Sequence, residues 1–97
     1  MQESSVEKYL VGRVKELGGR AYKFVSPGNA GVPDRIICLP GRQVVFVELK
    51  APGKKLRPLQ IAAQAKIRAM GFPVFTIDNM SGVDDLIEKL KKEMMPK

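Results

Sequence analysis

The sequence contains no histidine and only one cysteine, and both absences narrow the chemistry open to the chain. Without histidine there is no imidazole general base, no Ser-His or Cys-His triad and no histidine-anchored zinc site. The single cysteine, Cys38, can neither close an internal disulfide nor supply a four-cysteine zinc site. Its neighbours from Ile36 to Leu39 are apolar, which indicates a buried structural thiol. Any catalysis must therefore use carboxylates, lysine, amides and a hard metal ion.

Long apolar runs are also absent. None approaches the roughly 18 residues that a membrane-spanning helix needs, and no charged segment followed by an apolar one indicates a signal peptide. The chain has 97 residues, of which 44% are hydrophobic, as expected for one globular domain spanning 1–97. We therefore expect a soluble, intracellular protein without a membrane partner, and we expect no nucleotide cofactor.

Basic residues outnumber acidic ones by 17 to 10, which gives a formal charge of +7 and a pI near 9.8. A positive surplus of this size on a small domain favours a polyanionic partner, and we expect nucleic acid. The competing interpretation is a charged surface that serves only solubility.

Hydrophobic periodicity and turn-forming residues predict seven elements in the order α-β-β-β-α-β-α. The predicted helices begin near Ser4, Pro58 and Val83, and the predicted strands are Arg20–Val25, Arg35–Leu39, Val44–Leu49 and Val74–Ile77. The first three strands should form an antiparallel meander, and a helical crossover should place the fourth strand parallel to the third. The fold class is thus α/β, with a mixed four-stranded sheet flanked by helices.

The same pattern predicts which side chains form the core. We expect Tyr22 and Phe24 in the core and Ser81 as the cap of the last helix. The predicted apolar faces are Leu59, Ala63, Ile67 and Met70 in the second helix, and Val83, Leu86, Ile87, Leu90 and Met94 in the third.

The hairpin between the second and third strands brings two acidic residues together. A three-residue turn over Pro40–Arg42 pairs Leu39 with Gln43, which places Asp34 opposite Glu48. Cross-strand Cβ atoms lie about 4.5 to 5.5 Å apart, where two carboxylates repel by about 1 to 3 kcal/mol. A divalent cation would compensate this repulsion, and oxygen ligands favour magnesium or manganese.

Lys50 follows from the alternation of side chains along a strand. Residues 48 and 50 share one face while Leu49 points to the other, so the lysine ammonium should lie beside the carboxylates. We expect Lys50 to act as a cation that holds the attacking water and stabilises charge on the phosphoryl group.

These residues carry a family resemblance. Val32-Pro33-Asp34, a spacer of thirteen residues and Glu48-Leu49-Lys50 resemble the PD-(D/E)xK signature of restriction-endonuclease-like nucleases. The longer strings from Ser26 to Arg35 and from Val47 to Gly53, together with Gln60, resemble the VRR-NUC branch in its stand-alone phage or bacterial form. The resemblance extends from Glu7 to about Ile77 and implies the αβββαβ core of that superfamily.

The resemblance also implies roles for individual residues. It implies metal ligation by Asp34, Glu48 and the main-chain carbonyl of Leu49, with Mg2+ or Mn2+ as cofactor. It matches Glu7 to a catalytic glutamate of the first helix and Gln60 to a catalytic glutamine of the following helix. It further implies a homodimer akin to Holliday-junction resolvases, acting in the cytoplasm of a bacterial or phage-infected cell.

Several assignments have structural alternatives. Glu7 also fits a capping box with Ser4, and Gln60 also fits a solvated helix position. The catalytic carboxylates and lysine could instead form a surface salt-bridge cluster. Lys54, Lys55 and Arg57 are expected to contact DNA phosphates, and the alternative is a solvated loop. The glycines from Gly28 to Gly31 are expected to let a nucleic-acid backbone approach closely.

The sequence therefore predicts a metal-dependent endonuclease that hydrolyses DNA phosphodiester bonds, selective for four-way junctions as a homodimer. The alternatives are a nicking or flap-cutting nuclease and a nucleic-acid-binding module without catalysis. The edge of the sheet and the last helix, through Leu86, Leu90 and Met94, are candidate dimer contacts. The competing interpretation packs that helix on its own sheet.

Overall fold

The computed structural model describes residues 2–94 and contains seven elements in the predicted order. The elements are α1 (Glu3–Glu16), β1 (Arg20–Lys23), β2 (Arg35–Leu39), β3 (Gln43–Leu49), α2 (Pro58–Ala69), β4 (Val74–Ile77) and α3 (Met80–Met94). The predicted fold class is confirmed, with a mixed four-stranded sheet and flanking helices. No helix within the described range is long and apolar enough to cross a membrane.

The sheet has the strand order β1-β2-β3-β4, with the first two pairings antiparallel and β3–β4 parallel. The β2–β3 hairpin has the predicted register, from Leu39↔Gln43 to Arg35↔Val47. Gly41 (φ 84°) and Arg42 (φ 65°) adopt the left-handed backbone that the tight turn requires. One step beyond the ladder, Asp34 therefore lies opposite Glu48.

One face of the sheet packs against α1 and α3 and forms the hydrophobic core. The buried side chains on the two helices are Val6, Leu10, Val14, Val83, Leu86, Ile87 and Leu90, and those on the strands are Ile37, Leu39, Val45, Val47, Leu49 and Ile77. Because α3 packs on its own sheet, Leu86 and Leu90 are buried at 4% and 0% exposure. The prediction that the last helix contacts a second subunit is wrong for these two residues.

Within residues 2–94, α2 is the helix that covers the opposite face of the sheet, and its predicted apolar face is correct for Ala63 and Ile67 but wrong for Leu59 and Met70. Ile67 is buried, whereas Leu59 is 63% and Met70 68% exposed. Gln64 is the other buried residue of α2, and its Nε2 donates to Thr76 Oγ1 at 3.1 Å. Polar contacts thus orient the helix on the sheet. Tyr22, predicted in the core, is 56% exposed on this open face.

Two helix starts differ from the prediction. Helix α1 begins at Glu3 without a side-chain cap, which places Ser4 inside the helix, so the capping-box alternative for Glu7 is wrong. Helix α3 begins at Met80, before the predicted cap Ser81. Asn79 occupies the capping role instead, because its Oδ1 accepts a hydrogen bond from the Gly82 amide at 2.7 Å.

Candidate active site

A cleft of about 440 Å³ opens where β3 ends and α2 begins, and we call it the carboxylate cleft. Its lining residues are Glu3, Asp34, Glu48, Leu49, Lys50, Ala51, Lys54, Lys55, Arg57 and Gln60. The structure therefore brings together eight of the nine residues that the sequence singled out. The ninth, Glu7, lies elsewhere.

The end of the hairpin holds Asp34 in position. Asp34 immediately precedes β2, and its Oδ2 accepts a hydrogen bond from the main-chain amide of Leu49 at 2.8 Å. The Asp34 carboxylate is therefore bound to β3 at Leu49, the residue that follows Glu48. The Leu49 side chain is 2% exposed and belongs to the core, as expected from the alternation along the strand.

Glu48 is the buried acid of the site, at 3% exposure. Its Oε2 accepts a hydrogen bond from Gln60 Nε2 at 3.0 Å and lies 3.7 Å from Lys50 Nζ. Burial, together with the negative charges of Asp34 and Glu3, raises the pKa of Glu48 to about 7, although Lys50 opposes the shift. Glu48 is thus buried near a second carboxylate, and Lys50 is the cation paired with it among the described residues.

Gln60 is oriented by the start of its own helix. Its Oε1 accepts a hydrogen bond from the Arg57 amide at 2.8 Å, which satisfies one of the free amides at the N-terminus of α2. The other end of the same amide then points to Glu48. Because both ends are hydrogen-bonded, the solvated alternative for Gln60 does not describe this structure.

Glu7 is placed away from the carboxylate cleft. Its Oε2 accepts a hydrogen bond from Arg35 Nε at 2.9 Å, in an ion pair whose side chains are 28% and 13% exposed. Arg35 follows Asp34 in the chain, so its side chain points to the other face of the sheet, on which α1 packs. Glu7 binds Arg35 on that face and not the carboxylates. Glu3, one helical turn earlier, lines the cleft instead.

Sequence reasoning missed Glu3 because it placed the start of the helix at Ser4. The four-residue spacing between two glutamates could have indicated it, since residues i and i+4 share one helix face. Glu3 and Glu7 are such a pair, and the earlier of the two reaches the end of the sheet.

Gly31 sets the distance between the loop before Asp34 and the start of α2. Its φ is +88°, and a Cβ at this position would lie 2.4 Å from the Leu59 carbonyl oxygen. The expected close approach at this loop is therefore made by the protein's own helix. Gly28 has φ +83° and faces open space.

The three basic residues predicted to contact DNA surround the cleft. Lys54, Lys55 and Arg57 are all exposed and line it together with the carboxylates. The Gly53 amide donates to Asp78 Oδ2 at 3.3 Å, which ties this loop to the end of β4. The loop therefore presents three cations beside the acidic centre.

The potential metal donors are few. Within residues 2–94, no three His, Cys, Asp or Glu side chains converge in a geometry that could hold a metal ion. Asp34 and Glu48 offer carboxylate oxygens, and Leu49 offers a main-chain carbonyl between Glu48 and Lys50. All of these donors are hard oxygen atoms, the type that Mg2+ and Mn2+ prefer.

Comparison with known proteins identifies the family. No family model matches the sequence. A phage protein named "Putative nuclease p44", from Acyrthosiphon pisum secondary endosymbiont phage 1, is 49% identical over 79 residues, covering 81% of this chain and 85% of that protein. A solved structure described as a VRR_NUC domain superposes with a TM-score of 0.83 at 36% identity, covering 89% of this chain and 94% of that one. The chain therefore belongs to the VRR-NUC family of nucleases.

Proposed function

We propose that this protein is an endonuclease that hydrolyses DNA phosphodiester bonds with Mg2+ or Mn2+ at the carboxylate cleft. The observation that carries the proposal is Glu48, a carboxylate at 3% exposure next to Asp34, with its pKa raised to about 7. A buried acid with a raised pKa beside a second carboxylate is typical of a functional site. Membership of a nuclease family supplies the reaction class.

The residues present fit a divalent cation. Asp34, Glu48 and the Leu49 carbonyl would hold it, and Glu3 lines the same cleft without converging on the two carboxylates. When bound, such a cation polarises the phosphoryl oxygens and lowers the pKa of water. The hydrogen bonds to Asp34 from the Leu49 amide and to Glu48 from Gln60 would fix the orientation of both carboxylates.

Lys50 provides the charge that the reaction itself requires. Its ammonium lies 3.7 Å from Glu48 Oε2, and its side chain is 13% exposed. A cation held this close to the carboxylates would orient the attacking water and stabilise the charge that develops on the phosphoryl group. Lys54, Lys55 and Arg57 would bind the phosphates on either side.

We extend the proposal to branched DNA cut by a homodimer in the cytoplasm of a bacterial or phage-infected cell. Two symmetric cuts in a four-way junction need two active sites, and a two-fold axis supplies them from one sequence. With Leu86 and Leu90 buried, the edges of the sheet remain as candidate interfaces, and we favour the β1 edge over the β4 edge because large apolar side chains are exposed near it. Tyr22 and Val25 lie there at 56% and 79% exposure.

A cleavage panel tests the activity and the selectivity together. Four-way junction, flap, nicked duplex, linear duplex and single-stranded DNA would be incubated with magnesium, manganese, calcium or chelator. We expect cutting with magnesium or manganese only, and most rapidly on the junction. Cutting in excess chelator would refute the metal requirement. Faster cutting of flaps or nicked duplex would refute the selectivity for junctions. Binding without any cutting would indicate a non-catalytic module.

Light scattering at micromolar concentration tests the homodimer. The chain alone has a mass of 10.7 kDa, and we expect twice that value. Val25→Lys would add a charge beside the edge strand, which discourages strand pairing, and should return the mass to that of one chain. A wild-type monomer that resolved junctions would refute the dimer.

A further inference from the structure

A second cleft, of about 580 Å³, lies between α2 and the open face of the sheet, and we call it the apolar cleft. Phe24 and Phe46 form its floor, with ring centroids 5.7 Å apart, and Leu59 and Met70 form its wall. Leu59 and Met70 are more than half exposed. Large aliphatic side chains exposed around a concave aromatic surface are typical of a ligand site.

A groove lies between the apolar cleft and the carboxylate cleft. This connecting groove of about 420 Å³ shares Ala30 and Leu59 with the apolar cleft and Arg57 and Gln60 with the carboxylate cleft. The groove lies where the Gly31 loop meets the start of α2, so a DNA strand bound at the carboxylates would pass over this contact to reach the aromatic floor.

The spacing between the two clefts matches the dimensions of a nucleotide. Phe46 and Glu48 are two residues apart on the same face of β3, a distance of about 6 to 7 Å. On α2, Gln60 contacts Glu48 and Ala63 lines the apolar cleft, about 4.5 Å further along the helix axis. A phosphate at the carboxylates would thus have the base of the same or the next nucleotide within reach of the cleft.

The polar groups at the rim also suit a nucleotide. Ser26 and Asn29 place a hydroxyl and an amide there, with Asn29 Nδ2 donating to Ser26 Oγ at 2.9 Å. Lys66 adds a cation on the α2 side. An apolar floor with hydrogen-bonding groups and one positive charge at its rim is complementary to a base attached to a phosphate backbone.

We propose that the apolar cleft binds one unpaired nucleobase next to the phosphate that is cut. This inference rests on the proposed nuclease function and makes the substrate class more specific. DNA with an unstacked or unpaired nucleotide at the cut site, as at a branch point, would bind more tightly than uninterrupted duplex. The base would contact Phe24 and Leu59, and its backbone would cross the connecting groove.

The test compares two duplex probes that differ at one nucleotide. The first probe carries a single unpaired 2-aminopurine, whose fluorescence reports its environment, and the second carries an abasic residue at that position. Binding of the full chain is measured in calcium, and cleavage separately in magnesium. We expect the wild type to bind the first probe about tenfold more tightly than the second, with a change in 2-aminopurine emission.

Variants on α2 give a matched control. Leu59 and Ile61 are aliphatic residues of the same helix with 63% and 55% exposure, and Leu59 lines the apolar cleft whereas Ile61 does not. Leu59→Ser and Phe24→Leu should reduce the preference for the unpaired base to nearly one. Ile61→Ser should retain it.

The two proposals fail in different ways. Equal wild-type affinity for both probes would overturn the base site even if both were cut. Selective binding of the unpaired base without cutting in any metal would support the base site and refute the nuclease proposal. If Leu59→Ser or Phe24→Leu converted a dimer into monomers, the cleft would belong to the subunit interface, and the base site would be refuted.

Discussion

Replacing Glu48 with glutamine should stabilise the metal-free protein, and the gain should depend on pH. Glutamine has nearly the shape of a protonated glutamate, and its carbonyl can still accept the hydrogen bond from Gln60. It removes only the charge that is buried beside Asp34. The substitution therefore measures how much the ionised Glu48 side chain lowers the free energy of unfolding.

The magnitude follows from the pKa of Glu48, which is raised from 4.5 to about 7 in the folded protein. Below pH 4.5 the acid is protonated in both states, so it does not affect stability. Between pH 4.5 and 7 it ionises only in the unfolded state, and the free energy of unfolding falls by up to about 1.4 kcal/mol per pH unit. Above pH 7 the full penalty of about 3 kcal/mol is present.

Urea denaturation in chelator, near pH 4.5 and near pH 8.5, measures this difference. We expect equal stabilities of wild type and Glu48→Gln at the lower pH, and a variant about 3 kcal/mol more stable at the higher pH. Glu88→Gln is the matched control, since Glu88 is 63% exposed in a surface ion pair with Lys91. Its effect should stay below about 1 kcal/mol at both pH values.

Saturating magnesium provides the second half of the same experiment. It should stabilise the wild type, by about 1.4 kcal/mol at ten times the dissociation constant, and should stabilise Glu48→Gln much less. A wild type that is more stable than the variant at pH 8.5 in chelator would refute the reasoning. A stability difference that does not change with pH would refute it equally.

Other substitutions test the remaining parts of the site. Asp34→Asn should abolish cutting and leave metal-free thermal stability equal or slightly higher, because the amide oxygen can still accept from the Leu49 amide; a clear loss of stability would make Asp34 structural. Lys50→Ala should slow cutting by about 10²-fold or more while manganese affinity, measured by calorimetry, holds or rises; lost metal binding would show that Lys50 organises the carboxylates. Changing Lys54, Lys55 and Arg57 together to alanine should lower the slope of log K against log salt by up to about 2.7, at about 0.9 per phosphate contact, and an unchanged slope would return them to a solvated loop. Gly31→Ala should slow cutting far more than Gly28→Ala, because both glycines have positive φ but only Gly31 abuts α2; equal effects would contradict a positioning role.

Local patterns in the sequence determined the element order and the hairpin. The short turn at Pro40–Arg42 and the alternation along β2 and β3 are sufficient to place Asp34 opposite Glu48 and Lys50 on the same side. These are short-range constraints, since strand periodicity and turn length fix the register between adjacent strands. The Pro-Asp and Glu-x-Lys strings then indicated the chemistry of that position.

Tertiary contacts decided the features that depend on elements distant in the chain. Periodicity shows that a helix has an apolar side but not which element covers that side. Leu59 and Met70 are predicted in the core for this reason, and both are exposed beside the open face of the sheet. Arg35 binds Glu7 across 28 residues of sequence, and Glu3 lines the cleft instead. Burial likewise raises the pKa of Glu48 only once α2 and the sheet have assembled, because desolvation is a property of the packed structure.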